Sequence, residues 1–169
     1  MVEIKKLLEI INKDKNCSLL SKKKEEINNL NLPEDLKFYF ENYKELNLFL
    51  DEPYGSKIVG IDNFKNANKA FYPEGDVIWE ELEGDISNDW FIIGENIEMS
   101  QYITIDLNKE RIGRCYDSFY EIHADPDFSP IIALSFTELL KNLYSSKGKE
   151  LYWNEPTFES LGIAYPDEE

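Results

Sequence analysis

Histidine, cysteine and paired carboxylates most often carry acid–base, nucleophilic or metal chemistry, and this sequence offers few of the first two. His123 is the only histidine, and Cys17 and Cys115 are the only cysteines. One histidine provides a single possible base for nucleophilic catalysis and argues against a His-rich metal site. We therefore interpret His123 as structural and the two thiols as small buried hydrophobic groups. The sequence predicts no metal and no cofactor.

The sequence also lacks the motifs of familiar enzymes. It contains no Gly-rich phosphate loop, G-x-S-x-G, C-x-x-C or H-E-x-x-H. Asp125-Pro126-Asp127 lacks the ligand spacing of a calcium loop, so we interpret it as a turn. The 34 carboxylates always allow an acid/base pair on paper, but spacing in sequence does not show that two of them converge on a substrate. The absences favour a protein that is not an enzyme, and an enzyme that uses buried carboxylates is the alternative.

Charge and composition limit the class of partner. The chain has 18 Lys and Arg against 34 Asp and Glu, a net charge of −16, and 42% hydrophobic residues. This hydrophobic content predicts a folded protein, whose charge repels nucleic acid and anionic membranes and attracts basic surfaces. The start of the sequence lacks an apolar signal-peptide region, and no apolar run has the length of a membrane span. We predict a cytoplasmic protein without direct nucleic-acid or membrane partners, and the sequence leaves its oligomeric state open.

An acidic segment lies between Ala70 and Asn108. It has ten acidic residues, no Lys or Arg, and interleaved aromatic residues that include Tyr72, Trp79, Trp90 and Tyr102. Acidic surfaces with aromatic anchors suit the binding of a basic partner. The alternative is a set of solvated acids over core aromatics. The predicted partner-binding residues are Trp79, Glu80, Glu81, Glu83, Asp85, Asp89, Glu95 and Glu98.

Hydrophobic periodicity predicts the elements that position these residues. Helices are expected at 2–12, around 22–27, from Pro33 to Tyr43, after a cap at Asp62, and after the capping box at Ser135. Strands are expected at 46–50, 57–61, 90–93, 102–107 and 111–116, with 90–93 covered on both faces. Asp106 is predicted to accept a hydrogen bond from the turn at Asn108 or Lys109. This order predicts a single α+β domain over 1–169 with a mostly antiparallel central sheet and flanking helices, a core at about 21–146 and an irregular tail at about 148–169.

Four short motifs occur in the order typical of one family. They are Leu32-Pro33-Glu34, the strand from Trp90 to Gly94, Ile105-Asp106-Leu107 followed by Gly113, and Ser135-Phe136 with Leu139 and Leu140. Over residues 21–146 the chain resembles the SUKH superfamily of bacterial immunity proteins, which also includes a fungal cell-wall assembly regulator. It departs from the family pattern at Asn42-Tyr43-Lys44, where Asn-Gly is usual, and at Ile97–Ser100, where glycines are usual.

The resemblance implies a SUKH-like fold and the function of an immunity protein. Such a protein binds a cognate toxin domain and blocks its active site or substrate surface. A nuclease toxin has a basic phosphate-binding groove, for which the acidic segment would compete as a charge mimic. A non-catalytic regulatory module that recruits other proteins, as the fungal relatives imply, is the alternative.

Overall fold

An eight-stranded sheet lies at the centre of the computed structural model, which describes residues 1–166. The strands are β1 (Cys17–Ser21), β2 (Tyr43–Leu48), β3 (Ser56–Ile58), β4 (Lys65–Asn66), β5 (Trp90–Asn96), β6 (Gln101–Asp106), β7 (Cys115–Asp117) and β8 (Ile131–Ala133). They pair in the order β1-β2-β3-β5-β6-β7-β8, and β4 extends the edge of β5 beyond β3. Every pairing is antiparallel.

Within the described residues, five α-helices accompany the sheet. They are α1 (Val2–Asn12), α2 (Glu34–Asn42), α3 (Ala67–Phe71), α4 (Ile78–Glu81) and α5 (Phe136–Ser146). The expected α+β architecture with a mostly antiparallel sheet is confirmed. Within residues 1–166, no helix has both the length and the apolar composition needed to cross a bilayer.

One face of the sheet, which we call the helical face, carries the main hydrophobic core. Ile93, Ile103 and Ile105 project from β5 and β6 on this side. They belong to one cluster with Tyr39 of α2 and Leu140 of α5, and all five side chains are almost fully buried. Burial of this apolar area is the main stabilising contribution at the centre of the fold.

The opposite face, which we call the second face, is covered over β5 to β8. Trp90, Tyr116 and Ile131 are buried there together with Ala164 from the C-terminal tail. Phe71 of α3 packs on Tyr102 of β6 with ring centroids 4.8 Å apart. Both faces of β5 are covered, which confirms the expectation that the strand at residues 90–93 is buried on both sides. Side chains that point to either face must therefore be apolar or hydrogen-bonded.

The residues at the N-termini of α2 and α5 explain where these helices begin. Pro33 is the N-cap of α2, where a missing backbone donor has no consequence. At the start of α5, the Ser135 hydroxyl accepts a hydrogen bond from the Glu138 amide at 3.1 Å. The Glu138 carboxylate accepts from the Leu134 amide at 2.7 Å, one residue earlier than in a standard capping box. Tyr43, expected on the buried stripe of α2, instead begins β2.

Two of the predicted helices are wrong. Residues 22–27 form no helix, and the amides of Lys22 and Glu25 donate to carbonyls at the end of α2. Ile27 is the only buried residue in that stretch, so a helix there would bury too little to form. Asp62 caps no α-helix, because it lies in a 3₁₀ turn, and α3 begins later with Asn66 as its cap.

The hairpin loop and the tail are partly as expected. The connection from β6 to β7 spans residues 107–114 and is longer than the three-residue turn predicted. In the tail, residues 148–166 contain a 3₁₀ turn at Tyr152–Asn154 and a bridge between Pro130 and Ile163. The prediction for residues 167–169 lies outside the described residues.

Candidate functional site

The eight predicted partner-binding residues lie at two ends of β5. Six of them form a surface that we call the α4 edge, on α4 and the turn that leads into β5: Trp79, Glu80, Glu81, Glu83, Asp85 and Asp89. Glu95 lies near the end of β5, and Glu98 lies in the 3₁₀ turn that follows it. Five residues of β5, Trp90 to Gly94, lie between Asp89 and Glu95 and separate the two groups by roughly 20 Å. The structure therefore brings six of the eight together and leaves Glu95 and Glu98 elsewhere.

The carboxylates of the α4 edge divide into exposed and engaged groups. Glu80, Glu81 and Glu83 are exposed. Asp85 accepts hydrogen bonds from the Ser87 amide at 2.8 Å and the Tyr165 hydroxyl at 2.9 Å. Asp89 accepts from the Asn108 side chain at 3.0 Å. The three glutamates can face a partner, whereas the two aspartates also hold the turn in place.

Trp79 lies between two clefts. One, of about 710 Å³, is lined by Lys65, Lys69, Asn88 and Phe91 as well as Trp79. The other, of about 470 Å³, has Tyr72 and Glu74 in its wall. The indole nitrogen of Trp79 donates to the Pro73 carbonyl at 2.8 Å, which fixes the ring. The two lysines come from outside the acidic segment, so the sequence did not predict a cationic cleft beside this tryptophan.

A buried carboxylate, Asp106, organises the second face beneath this edge. Its Oδ2 accepts hydrogen bonds from the Arg111 guanidinium at 2.9 Å, the Tyr116 hydroxyl at 2.8 Å and the Trp90 indole at 3.2 Å. Its Oδ1 accepts from the Asn108 amide at 2.8 Å, which confirms the predicted turn contact. Burial and the neighbouring Asp106 charge raise the pKa of Tyr116, which keeps its hydroxyl a donor. These contacts fit a structural role for Asp106.

His123 is buried on the same face. Its Nε2 lies 2.7 Å from Oδ1 of Asn68, whose own amide donates to Ser87 at 2.9 Å. The ring packs edge-on against Phe71 and Trp90. Within residues 1–166, Nδ1 has no hydrogen-bond partner. Burial lowers the pKa of His123 to about 4, so the ring is neutral near pH 7 and fits a structural histidine.

The thiols are not activated as nucleophiles. Burial raises the pKa of Cys115 well above its usual value, and burial also raises the pKa of half-buried Cys17. In the part of the chain that the structure describes, no group of three or more His, Cys, Asp or Glu is arranged to hold a metal ion.

A third cleft, which we call the Asp117 cleft, lies beyond the Glu98 end of β5. It has a volume of about 540 Å³, and its wall includes Tyr54, Met99, Phe119, Leu151, Glu150 and Asp117. Asp117 is 7% exposed. Its Oδ1 accepts from the Gln101 side chain at 2.7 Å and the Phe119 amide at 3.0 Å, and its Oδ2 accepts from the Trp153 indole at 2.9 Å.

Sequence reasoning missed Asp117. The one available signal is an aspartate at the end of the short strand Cys115-Tyr116-Asp117, where a charged side chain is unusual. Trp153 comes from the tail, for which no periodicity predicted a position, so its contact with Asp117 was not predictable from pattern.

Comparison with known proteins agrees with this architecture. Residues 18–142, from β1 into α5, match the model of the SMI1 / KNR4 family (SUKH-1). The chain is also 37% identical over 134 residues to the immunity protein YokJ of Bacillus subtilis (strain 168), an alignment that covers 79% of this chain and 77% of that protein. The family match spans well over half of the sequence and includes all four ordered motifs. The chain therefore belongs to the SMI1 / KNR4 family (SUKH-1), within the SUKH superfamily.

Proposed function

We propose that this chain is an immunity protein that binds and neutralises a cognate toxin domain in the cytoplasm. The observation that carries the proposal is its 37% identity to the immunity protein YokJ over 134 residues. At this identity and coverage the two chains share a fold. The role in the name of that relative is therefore the strongest candidate for this chain.

The exposed charges support a basic toxin surface as the partner. Glu80, Glu81 and Glu83 are exposed on the α4 edge, which also carries Trp79, in a chain of net charge −16. Aromatic anchors inside a charged rim are typical of protein interfaces, and complementary charge increases the rate of encounter. Against a nuclease, the α4 edge would occupy the groove that binds phosphates.

The interior groups support a binding role rather than catalysis. The carboxylates of Asp106 and Asp117 each accept hydrogen bonds from tryptophan indoles and other internal donors. His123 is packed among aromatic rings with its pKa at about 4, well below the range useful to a base near neutral pH. Asp106 and His123, the more enclosed of these groups, therefore contribute to holding the fold.

A growth assay tests the immunity function. Affinity capture of the tagged chain from its native cells identifies a partner, whose gene is then expressed alone and together with this chain. We expect the partner alone to arrest growth and co-expression to restore it. An empty vector and an unrelated acidic protein are the controls. A partner that is harmless alone, or an arrest that persists although the complex forms, would contradict the proposal.

A regulatory protein-interaction module is the second candidate. It is favoured by the family match itself, because the family also includes a fungal cell-wall regulator. The two functions differ in what happens when the partner is absent. An immunity protein is dispensable in cells that lack the toxin, whereas a regulatory module leaves a defect when it is deleted.

A further inference from the structure

Within residues 1–166, two carboxylates are buried, and only one of them has a cation beside it. Asp106 is fully buried and forms an ion pair with Arg111 at 2.9 Å. Asp117 is 7% exposed, and in residues 1–166 its hydrogen-bond donors are the neutral groups of Gln101, Phe119 and Trp153. Hydrogen bonds from neutral donors offset part of the cost of burying this charge, and a counter-charge would offset more of it.

Asp117 lines an open cleft, so a counter-charge can enter from outside. Glu150 contributes a second carboxylate to the same wall. The ammonium group of Lys149, also in the wall, lies 2.7 Å from Glu52 and is neutralised by it. The polar part of the cleft therefore has a net negative charge.

The rest of the cleft is apolar and aromatic. Tyr54, Met99, Phe119 and Leu151 line it. Ile97, 68% exposed in the turn that ends at Met99, extends the apolar surface towards solvent. A long aliphatic stem that ends in a positive charge fits this combination, because the stem packs on apolar groups while the cation meets carboxylates and aromatic rings.

We propose that the Asp117 cleft receives an arginine or lysine side chain of the protein partner. The cationic head group approaches Glu150 and Oδ2 of Asp117, the oxygen with the single donor Trp153, and the stem lies against Met99 and Leu151. Glu98, exposed beside Met99, is part of the acidic rim. The inference rests on the proposed function for the identity of the partner, and it adds a second contact surface at the end of β5 opposite the α4 edge.

A small probe tests the chemistry of the cleft without the partner. The probe is N-acetyl-arginine methylamide, and its citrulline analogue is an uncharged control of similar shape. Amide NMR of the full chain follows the Trp153 indole and the Gln101 side chain, which both donate to Asp117. We expect saturable shifts with the arginine probe and at least fivefold weaker binding of the citrulline analogue. Equal shifts with both probes would overturn the proposal.

Single substitutions test whether the arginine probe binds in the Asp117 cleft. Asp117→Asn and Glu150→Lys should each weaken the arginine probe at least fivefold. Glu150 is exposed, so its variant should fold even where replacement of Asp117 is destabilising. Asp62→Lys, at the other end of the sheet, makes the same change in net charge as Glu150→Lys and should alter binding less than twofold. Equal losses in Glu150→Lys and Asp62→Lys would mean that net charge alone attracts the probe.

The affinity of the toxin partner for the same variants then tests whether the Asp117 cleft is part of the binding surface. With a protective toxin partner identified, Glu150→Lys should raise the dissociation constant at least tenfold, and Asp62→Lys should change it less than twofold. Protection and affinity unaffected by Glu150→Lys would overturn the cleft assignment while leaving the immunity function intact. Failure of the unaltered chain to protect cells would remove the proposed function, whereas the probe experiment would still decide whether the cleft binds a cationic side chain.

Discussion

The carboxylate of Asp106 accepts four hydrogen bonds on the second face. It joins β6 to Arg111 in the following loop and to Tyr116 on β7. Asp106→Asn leaves the half-buried Arg111 guanidinium without its closest counter-charge and should lower the free energy of unfolding by about 3 kcal/mol. Urea unfolding monitored by tryptophan fluorescence measures this difference.

A surface ion pair is the control for this prediction. Lys57 and Glu45 lie 3.1 Å apart with side chains 38% and 27% exposed. Lys57→Met should cost less than about 1 kcal/mol, because water solvates Glu45 when its partner is removed. Similar losses for the two variants would mean that Asp106 acts only as a surface charge and does not organise the network.

His123 makes stability depend on pH in a defined window. Its pKa is about 4 in the folded protein, against an ordinary value of 6.5, so between these pH values the unfolded chain binds a proton that the folded protein does not. Stability therefore rises with pH, and acidification from 6.5 to 4 should remove about 3 kcal/mol through this group. In His123→Gln this part of the pH dependence should vanish. The measurement is the difference between the unfolding free energies of the two proteins at each pH, in which the carboxylate contributions cancel; a constant difference would contradict the prediction.

At the residue scale, local chemistry was predictable and long-range partners were not. Asp106 accepts a hydrogen bond from the backbone amide of Asn108, two residues later, and this contact was predicted because aspartate side chains commonly bond nearby turn amides. The contact of Asp117 with Trp153 joins residues 36 positions apart, and nothing in the local pattern specifies it. Tertiary packing determines such pairs.

The start of α5 illustrates how one element stabilises another. Asp35, in the first turn of α2, accepts hydrogen bonds from both the amide and the hydroxyl of Thr137 at 2.8 Å. A carboxylate at a helix N-terminus satisfies free amides and complements the helix dipole. Asp35→Ala should therefore lower the free energy of unfolding by about 1–2 kcal/mol.

Glu34 is a matched control for Asp35. It occupies the same first turn of α2, but its side chain is exposed. Glu34→Ala should cost less than about 0.5 kcal/mol. Thermal unfolding of both variants tests the comparison, and equal midpoints would show that the link between α2 and α5 contributes nothing measurable.

Elements with long apolar patterns were predicted, and short ones were not. The helix at Val2–Asn12 and the strand that begins at Trp90 agree with their patterns because each has apolar residues at a regular period. The expected helix at 22–27 has one buried residue, Ile27, and the backbone there pairs with the end of α2 instead. Two-residue β4 is too short to produce any pattern.

At the scale of the whole molecule, the sign of the net charge was predictable from the sequence, but the positions of the charged side chains on the surface were not. The net charge of −16 and the acidic segment are properties of composition. The position of Lys65 and Lys69 beside Trp79 depends on how β4 and α3 pack along β5. The position of Tyr165 on Asp85 likewise depends on the path of the tail over the second face.

The charge arrangement predicts how fast the partner binds. Reversal of Glu80, Glu81 and Glu83 to Lys should slow association about tenfold at low salt and change dissociation little, because exposed charges act mainly on the approach of a basic partner. The screening length falls from about 10 Å at 0.1 M salt to about 3 Å at 1 M, so the difference from the unaltered chain should shrink as salt rises. Stopped-flow kinetics with the purified partner over this range of salt measures both effects.

A second triple reversal separates local attraction from the field of the whole molecule. Glu3 and Glu9 of α1 and Glu26 in the loop after β1 are exposed, and α1 packs against β1 and α5. Their reversal makes the same change in net charge as reversal of the three α4-edge glutamates. If the α4 edge receives the partner, the control slows association much less, because the Coulomb attraction decreases with distance and is screened beyond about 10 Å at 0.1 M salt. Equal slowing by both triples would assign the effect to net charge, and unchanged kinetics in both would remove the charge-mimic hypothesis.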